Sequence, residues 1–440
     1  MRNGAILPHH RYAAAHDTSG NAWYVLLIIT IVYALNIADR FVVNTLIEPI
    51  RRAFDLGDLG VGMLTGGAVA VFYVTASVPI AMLGDRRSRK PLLVLAIAFW
   101  SALTYLCGIS RSSWQFFASR VGVGIGEAGA TPISQSLLSD MFPPASRSIA
   151  FSLFSLGSAA GAAAGAWMGG LLNDRYGWRD ALIFFGLFGL PLAAIVGLTI
   201  SEPARGRFDV RPTREGSGLM DTLRFIGRQR ALIHLFAGSS IVVFWSWGLL
   251  WWTPTFLLRT HGMSLASSGG ALGLIHGIGG VAVTLGTVWI MKILSKKDPR
   301  YQVWYVAAAT VIAVLPSFLV YWVTSVRTSI VMLWLFIPVS YAYSGPSYAL
   351  AQNLVPASMR SKTCALILLT GNLANLIVAP VLIGWASDRI APHLSDPSQS
   401  LRYALAICTF SGLWGAWHYF AAARTLVPDL ERAGSISYVP

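Results

Sequence analysis

The stretch Ser112–Asp140, SSWQFFASRVGVGIGEAGATPISQSLLSD, is long and apolar enough to cross a bilayer, yet it holds Arg120 and Glu127. A charge inside a membrane helix is costly and is tolerated where it faces a bundle interior, a water-filled cavity or an opposite charge. Arg120, Gly124, Glu127 and Thr131 are spaced to share one helix face, and the glycine lets a ligand or a neighbouring helix approach between the charges. Two readings fit: a charged lining that handles an anion or a proton along a path, and a buried ion pair that only fixes packing.

A second apolar stretch, IVYALNIADRFVVN, carries Asn36, Asp39 and Arg40. With 1.5 Å of rise per residue, Asp39 lies roughly 27 Å up one span and Arg120 roughly 12 Å down another, similar depths in a helix about 39 Å long. Asp39 is therefore the expected partner of Arg120. Glu127 lies about 10 Å further along, near mid-depth, where a carboxyl can take up a proton from one side and lose it to the other. Arg40 points about 100° away from Asp39 and can meet either Glu127 or an anionic headgroup.

Aromatic residues supply the opposite chemistry. Phe244, Trp247 and Trp251 form one stripe at helical spacing, while Trp251 and the adjacent Trp252 equally fit an interfacial aromatic belt. Asn353, Asn372, Asn375, Gln135 and Ser134 are secondary polar candidates, and His234 and His276 are weaker ones, since a membrane histidine can simply bridge helices.

The elements that must position these residues follow from hydropathy. The 440 residues are 55% hydrophobic and 12% charged, with a mean hydropathy of +0.59, which points to an integral membrane protein. Apolar spans at 21–46, 57–83, 91–109, 113–139, 148–172, 181–200, 231–258, 265–291, 302–323, 329–351, 361–386 and 402–423 predict an all-α protein with twelve transmembrane helices. The net charge of +14 does not indicate nucleic acid, because the basic residues sit in short clusters between spans, with groups such as Arg86 to Lys90 and Lys292 to Arg300 on one side. That bias places both termini in the cytoplasm. The N-terminus lacks a cleavable apolar core, so targeting is expected through the first helix.

The long Arg-, Gly- and Pro-containing connection 201–230 divides the chain into two six-helix bundles, 21–200 and 231–424, flanked by cytoplasmic tails 1–20 and 425–440. Its second part, GLMDTLRFIGRQR, places Leu219, Leu223 and Ile226 on one side and predicts an interfacial amphipathic helix. The halves repeat one another: Pro144-Ala145-Ser146-Arg147 is answered by Pro356-Ala357-Ser358-Met359-Arg360, and Asn173-Asp174-Arg175 by Ser387-Asp388-Arg389. A ridge of Gly157, Gly161, Gly165 and Gly169 predicts close helix packing. The turn Gly84-Asp85-Arg86-Arg87-Ser88-Arg89-Lys90 predicts a tight basic loop able, with Arg147, to lock helix ends together in one state.

That turn resembles the signature loop between the second and third helices of the major facilitator superfamily, and Arg120-Val121-Gly122-Val123-Gly124 resembles its fourth-helix motif. Within the superfamily, Asn36 to Arg40, Arg120 through Glu127-Ala128, and Ser139-Asp140 with Phe142-Pro143-Pro144 and Arg147 resemble the Spinster family of lysolipid and sphingosine 1-phosphate transporters, in a bacterial version. The resemblance implies the two-bundle fold, alternating access in an inner membrane, and charged transport positions at Asp39, Arg120 and Glu127 with Arg40 beside them. The expected function is proton-linked or facilitative movement of an amphipathic lipid by a monomer, with Glu127 and Asp39 in proton coupling. Arg120, Arg40, Asn36, Glu127, Thr131, Phe244, Trp247 and Trp251 are expected to meet substrate, and Asp85, Arg86, Arg87, Arg89 and Arg147 to gate. An organic-anion or sugar-acid symporter and a drug/proton antiporter stay open as alternatives. No cofactor or metal is expected, since Cys107, Cys364 and Cys408 show no ligand spacing and no HExxH pattern occurs, which also speaks against an enzyme.

Overall fold

The computed structural model describes residues 20–433 except 68, 69, 71–74, 76–79, 81–86, 143, 205–217, 295, 296, 357 and 358. Much of the expected second span lies outside the described residues, as do Asp85 and Arg86. Helix is the only regular secondary structure among the described residues. Eight helices there are long and apolar enough to cross a membrane, coinciding with the expected first, third and sixth to eleventh spans. The chain is an all-α, multi-spanning membrane protein.

Before the connection at 201–230 the described helices are α1 (Gly20–Thr45), α2 (Ile47–Ala53), α3 (Asp58–Gly62), α4 (Arg89–Ile109), α5 (Ser113–Ala128), α6 (Ala130–Met141), α7 (Pro144–Tyr176) and α8 (Trp178–Thr199). The expected fourth span is thus broken at Gly129, next to the stretch that carries the charges. The expected fifth span is longer than its apolar core, running for 33 residues as α7. After the connection come α9 (Leu219–Arg228), α10 (Arg230–Val243), α11 (Leu249–His261), α12 (Leu265–Leu274), α13 (Val281–Leu294), α14 (Arg300–Trp322), α15 (Val326–Phe336), α16 (Ser344–Asn353), α17 (Arg360–Asn372), α18 (Ala379–Ile390), α19 (Ser400–Cys408) and α20 (Ser411–Arg432). α9 is the helix expected within the connection, with Leu219 and Leu223 exposed and Thr222 buried.

Between α10 and α11, between α12 and α13, and between α17 and α18, the chain widens into π turns at Phe244–Gly248, Ile275–Gly280 and Leu373–Val378. A π turn shifts the helical register, and such insertions cluster at functional positions. Hydropathy gives no sign of them, because the residues on both sides stay apolar.

The glycine ridge performs the expected packing. A Cβ at Gly157 would come within 2.8 Å of the Thr30 carbonyl oxygen and one at Gly169 within 3.2 Å of the Val42 Cα, while Gly161 and Gly165 press on the Ala34 and Ala38 carbonyls. α1 and α7 therefore run backbone to backbone for about three turns. The opposite face of α7 is equally close to α12, where Gly170 abuts the Leu265 carbonyl and Gly269 the Ala166 carbonyl. α7 is thus the seam along which the two parts of the chain meet, and small residues on both faces permit that approach.

Overpacking this seam has a direct readout. Gly161→Val is expected to lower stability by about 1–3 kcal/mol, seen as a reduced thermal midpoint of the purified protein. An unchanged midpoint would mean that α1 and α7 can separate at no cost.

Candidate functional site

The charged set is built by α1 and α5 side by side. Asp39 is 2% exposed and Arg120 and Glu127 are each 0% exposed, so three formal charges are sealed within the helices. Because consecutive residues diverge by about 100°, Asp39 and Arg40 leave α1 in different directions and reach different partners. Arg120 Nη1 donates to Asp39 Oδ2 at 3.4 Å, and Arg40 Nε donates to Glu127 Oε2 at 2.7 Å. The separation of about 10 Å between Arg120 and Glu127 along α5 is bridged by the length of the Arg40 side chain. The two carboxylates also lie within electrostatic reach of each other. Of the two spacing-based options for Arg40, the structure selects Glu127.

These pairs leave hydrogen-bonding capacity over. Among the described residues, Arg120 Nε and Nη2, Glu127 Oε1 and Asn36 Nδ2 are buried with no hydrogen-bond partner. The Arg40 side chain keeps 15% of its surface, which makes it the accessible member of the four. Thr131 is half-buried, beyond the break at Gly129.

Phe41, the residue after Arg40 on α1, belongs to an aromatic group built mostly at the π turns. The Trp247 ring stacks on His276 at 5.9 Å and meets Tyr341 edge-on at 5.1 Å. His276 Nδ1 and the Tyr341 hydroxyl are 2.9 Å apart. Phe41, next to Arg40 on α1, completes the group at 5.2 Å from His276 and 6.4 Å from Trp247. Phe41 and Tyr341 were missed from sequence: the pattern marked them only as apolar, and which helix they face is a tertiary matter.

The stripe expected from Phe244, Trp247 and Trp251 does not present a single exposed wall. The π turn displaces its register, Phe244 and Trp251 are buried, and only Trp247 stays half-exposed. Trp252 is fully buried as well, so neither it nor Trp251 belongs to an interfacial belt, and the indole nitrogens of both lack an acceptor. His234 behaves as a bridge, its Nδ1 lying 3.0 Å from His418 Nδ1. Gln135 is exposed, Ser134 is buried, and Asn372 and Asn375 are half-buried away from the charge set's hydrogen bonds.

Arg89 is buried and binds Asp140 at 2.5 Å and Glu202 at 3.4 Å. It also donates to the Ser136 and Pro203 carbonyls. All four partners precede or begin the 201–230 connection, so in this conformation Arg89 ties helix ends within one part of the chain. Arg87 is exposed, and the Arg147 side chain lies outside the described residues.

The contacts that do cross between the two parts were not legible from spacing. Arg259, at the end of α11, donates to Glu48 Oε2 at 2.7 Å and forms a two-pronged bond to Asp58 at 2.9 and 2.7 Å. Ser387 donates to Asp58 at 2.6 Å, and the Asp388 carboxylate accepts from the backbone N–H groups of Asp58 and Leu59 at 2.9 and 2.8 Å. Asp174 accepts from the Ala266 N–H at 3.0 Å. Among the described residues, the side-chain hydrogen bonds and ion pairs that cross the parts lie toward this Glu48 end, and those at the Glu202 end stay within one part. The Asn173-Asp174 and Ser387-Asp388 echo seen as a repeat therefore supplies four cross-part hydrogen bonds, three at Ser387-Asp388 and one at Asp174.

Burial alone would raise the Glu48 carboxyl, but hydrogen bonds from Arg51 and Arg52 and the charges of Arg259 and Arg51 outweigh it and pull it down to about 2. Because the folded value is depressed, the charged form's contribution is fully present above the ordinary carboxylate range and is lost only as pH falls toward about 2. Among the described residues no group of three or more His, Cys, Asp or Glu side chains is placed to hold a metal ion, and the three cysteines are unpaired.

Buried ion pairs between the helices of a multi-spanning protein, with polar contacts between its two parts gathered at one end, fit a membrane transporter. The sequence profile of the Major Facilitator Superfamily matches residues 29–379, and the chain belongs to that family. It is a transport protein, not an enzyme. Within the superfamily it is closely related to the Spinster proteins. Protein spinster homolog 1 of Bos taurus is 29% identical over 443 residues, covering 94% of this chain and 83% of that protein. An MFS-type efflux pump of Mycolicibacterium smegmatis is 28% identical over 415 residues, covering 94% and 95%. The crystal structure of a bacterial homologue of the human lysosomal transporter Spinster, inward-facing and unoccupied, superposes with a TM-score of 0.84 at 26% identity, covering 93% of this chain and 98% of that one.

Three experiments address this geometry. With spin labels at Tyr176 and His393, Arg259→Ala is expected to populate longer distances across the Glu48 end, whereas an unchanged distribution would remove the lock. The stability lost in Glu48→Gln is expected to be the same at pH 5 and pH 8, because both lie above the range in which Glu48 titrates. For the buried pair, Arg120→Asp with Asp39→Arg is expected to be more thermostable than the sum of the single variants implies, and strict additivity would deny the contact.

Proposed function

We propose that this chain is a proton-linked transporter of an amphipathic lipid, single-chained and carrying an anionic headgroup, of the lysophospholipid or sphingoid-phosphate kind. It works by alternating access as twelve helices in two six-helix bundles, 21–200 and 231–424, as a monomer in a bacterial inner membrane with both termini in the cytoplasm. The observation that carries this reading is the pairing of a sealed, incompletely satisfied charge set on α1 and α5 with the aromatic group around Trp247. An anionic headgroup can complete the hydrogen bonding of Arg120 and Arg40, and an alkyl chain can lie along the aromatic side, contributing about 0.8 kcal/mol per buried CH₂. Asn36 and Thr131 border the headgroup, while Phe244 and Trp251 complete the apolar side with Trp247.

Glu127 carries the coupling proton in this scheme, with Asp39 as its electrostatic partner. Protonating Glu127 removes the negative charge that faces Arg40, so that an anionic headgroup competes for the guanidinium; losing the proton restores the ion pair and expels the headgroup. The basic-residue bias makes the Glu48 end the outer one. The crossing contacts of Arg259 and Asp388 then support an inward-open state, and their release opens the outer side. Asp85, Arg86, Arg87, Arg89 and Arg147 hold the cytoplasmic ends in the opposite state.

Flux into liposomes tests the scheme. Transport by Glu127→Gln is expected to lose its response to an imposed pH gradient, and a variant that still follows the gradient would sink the proton assignment. Affinity for single-chain phospholipids is expected to rise over several added methylenes, with Trp247→Ala weakening long chains more than short ones. A series flat with chain length, or transport of a small hydrophilic acid without lipid competition, would promote the organic-anion reading. Movement of cationic drugs without lipid competition would promote the efflux reading that the mycobacterial relative's name suggests.

A further inference from the structure

The foot of α13, far along the chain from the charge set, carries a second chemistry. Leu285, Val288, Trp289 and Ile293 are exposed along its length, as befits a helix face turned toward acyl chains. At the Glu202 end of that face the surface folds into a groove of about 490 Å³ lined by Trp289, Lys292, Ile293 and Lys297. Both lysines are exposed, and neither takes part in an ion pair among the described residues. The nearest carboxylate in sequence, Asp298, is engaged elsewhere: its Oδ1 accepts the Arg300 N–H at 2.7 Å, and its Oδ2 lies 3.6 Å from the Arg300 Nε. The groove is thus apolar on its membrane side and doubly cationic at its rim.

We propose that this groove holds one anionic phospholipid of the surrounding leaflet. Its phosphate lies between the Lys292 and Lys297 ammonium groups, its glycerol region beside the Trp289 indole, and an acyl chain along Ile293, Val288 and Leu285. Three features argue for a lipid over a soluble phosphate or a protein. The apolar face continues from the groove along the helix, so the site offers a place for the tail as well as the head. A tryptophan at the boundary between apolar face and charge is the residue that favours the headgroup level. Basic pockets beside membrane helices attract anionic headgroups. The basic-residue bias puts this end of the chain at the cytoplasmic leaflet, where anionic lipids attract such residues. None of these residues belongs to the charge set or to the aromatic group around Trp247, so the proposal stands or falls independently of the proposed substrate.

The test uses the full chain in detergent with a mixture of phosphatidylglycerol and phosphatidylcholine, counting retained lipids by native mass spectrometry. The wild type is expected to retain phosphatidylglycerol preferentially, and Lys292→Gln with Lys297→Gln to retain one fewer phosphatidylglycerol molecule with phosphatidylcholine retention unchanged. Arg300→Gln, whose guanidinium is paired with Asp298, is expected to retain as much as the wild type. Equal retention by the double variant and the wild type would overturn the proposal, as would a wild type that takes both lipids equally. Glycerol 3-phosphate displacing phosphatidylglycerol at equal concentration would assign the groove to soluble phosphates, and so overturn it too. Both lysines are exposed, so a thermal midpoint equal to the wild type's checks that the variant is folded.

Discussion

Three sealed charges and a fourth barely exposed one, on two adjacent helices, meet one another as two ion pairs inside the protein. Removing one partner of a buried ion pair generally costs about 3–5 kcal/mol, so Asp39, Arg40, Arg120 and Glu127 constrain the relative height and rotation of α1 and α5 within narrow limits. The crosswise pairing, Asp39 with Arg120 and Arg40 with Glu127, is the one that lets two consecutive residues on α1 serve two residues a double turn apart on α5. Such a set is stable without being saturated. The unpartnered atoms on Arg120 and Glu127 leave it able to exchange a protein partner for a proton or an anion.

The helix that carries half of that set packs against a smooth surface of small residues. α7 touches α1 on one face and α12 on the other through glycines and alanines, with few long side chains interlocked between the backbones. Smooth seams of this kind permit sliding, while directional bonds decide where sliding stops. Those bonds gather at the Glu48 end, where Arg259 reaches two carboxylates and Asp388 accepts from two backbone N–H groups. A small number of polar contacts at one end, set against an apolar seam, is the physical arrangement that gives a two-state hinge.

The aromatic group shows how backbone irregularity shapes the site. Trp247 and His276 both sit in π turns, and both meet Tyr341, which belongs to a tightened turn of its own at Ile337–Tyr341. Each irregular turn carries a bulky side chain toward the α1 face instead of around the helix. Phe41 then closes the group from the other part of the chain, one residue from the charge that would meet a headgroup.

The sequence by itself determined the solvent and the price of charge. Apolar runs about 20 residues long establish membrane helices, the offsets from Arg120 to Glu127 put both on one face, and the heights of Asp39 and Arg120 identify them as partners. Glycines at every fourth position of α7 likewise specify close packing. These features are legible because they depend on helical periodicity and rise, which are local and fixed. What only the tertiary structure decided is how helices distant in sequence are rotated against each other. It sends Arg40 to Glu127, buries Trp251 and Trp252, for which the sequence left both an aromatic stripe and an interfacial belt open, and keeps Arg89 within one part of the chain. It also draws Arg259, Glu48, Asp58 and Asp388 into a single cluster, though they lie in four separate stretches that sequence gave no reason to join. A one-residue π turn is enough to change such a rotation, and its cost is balanced by packing between helices that the local sequence does not encode.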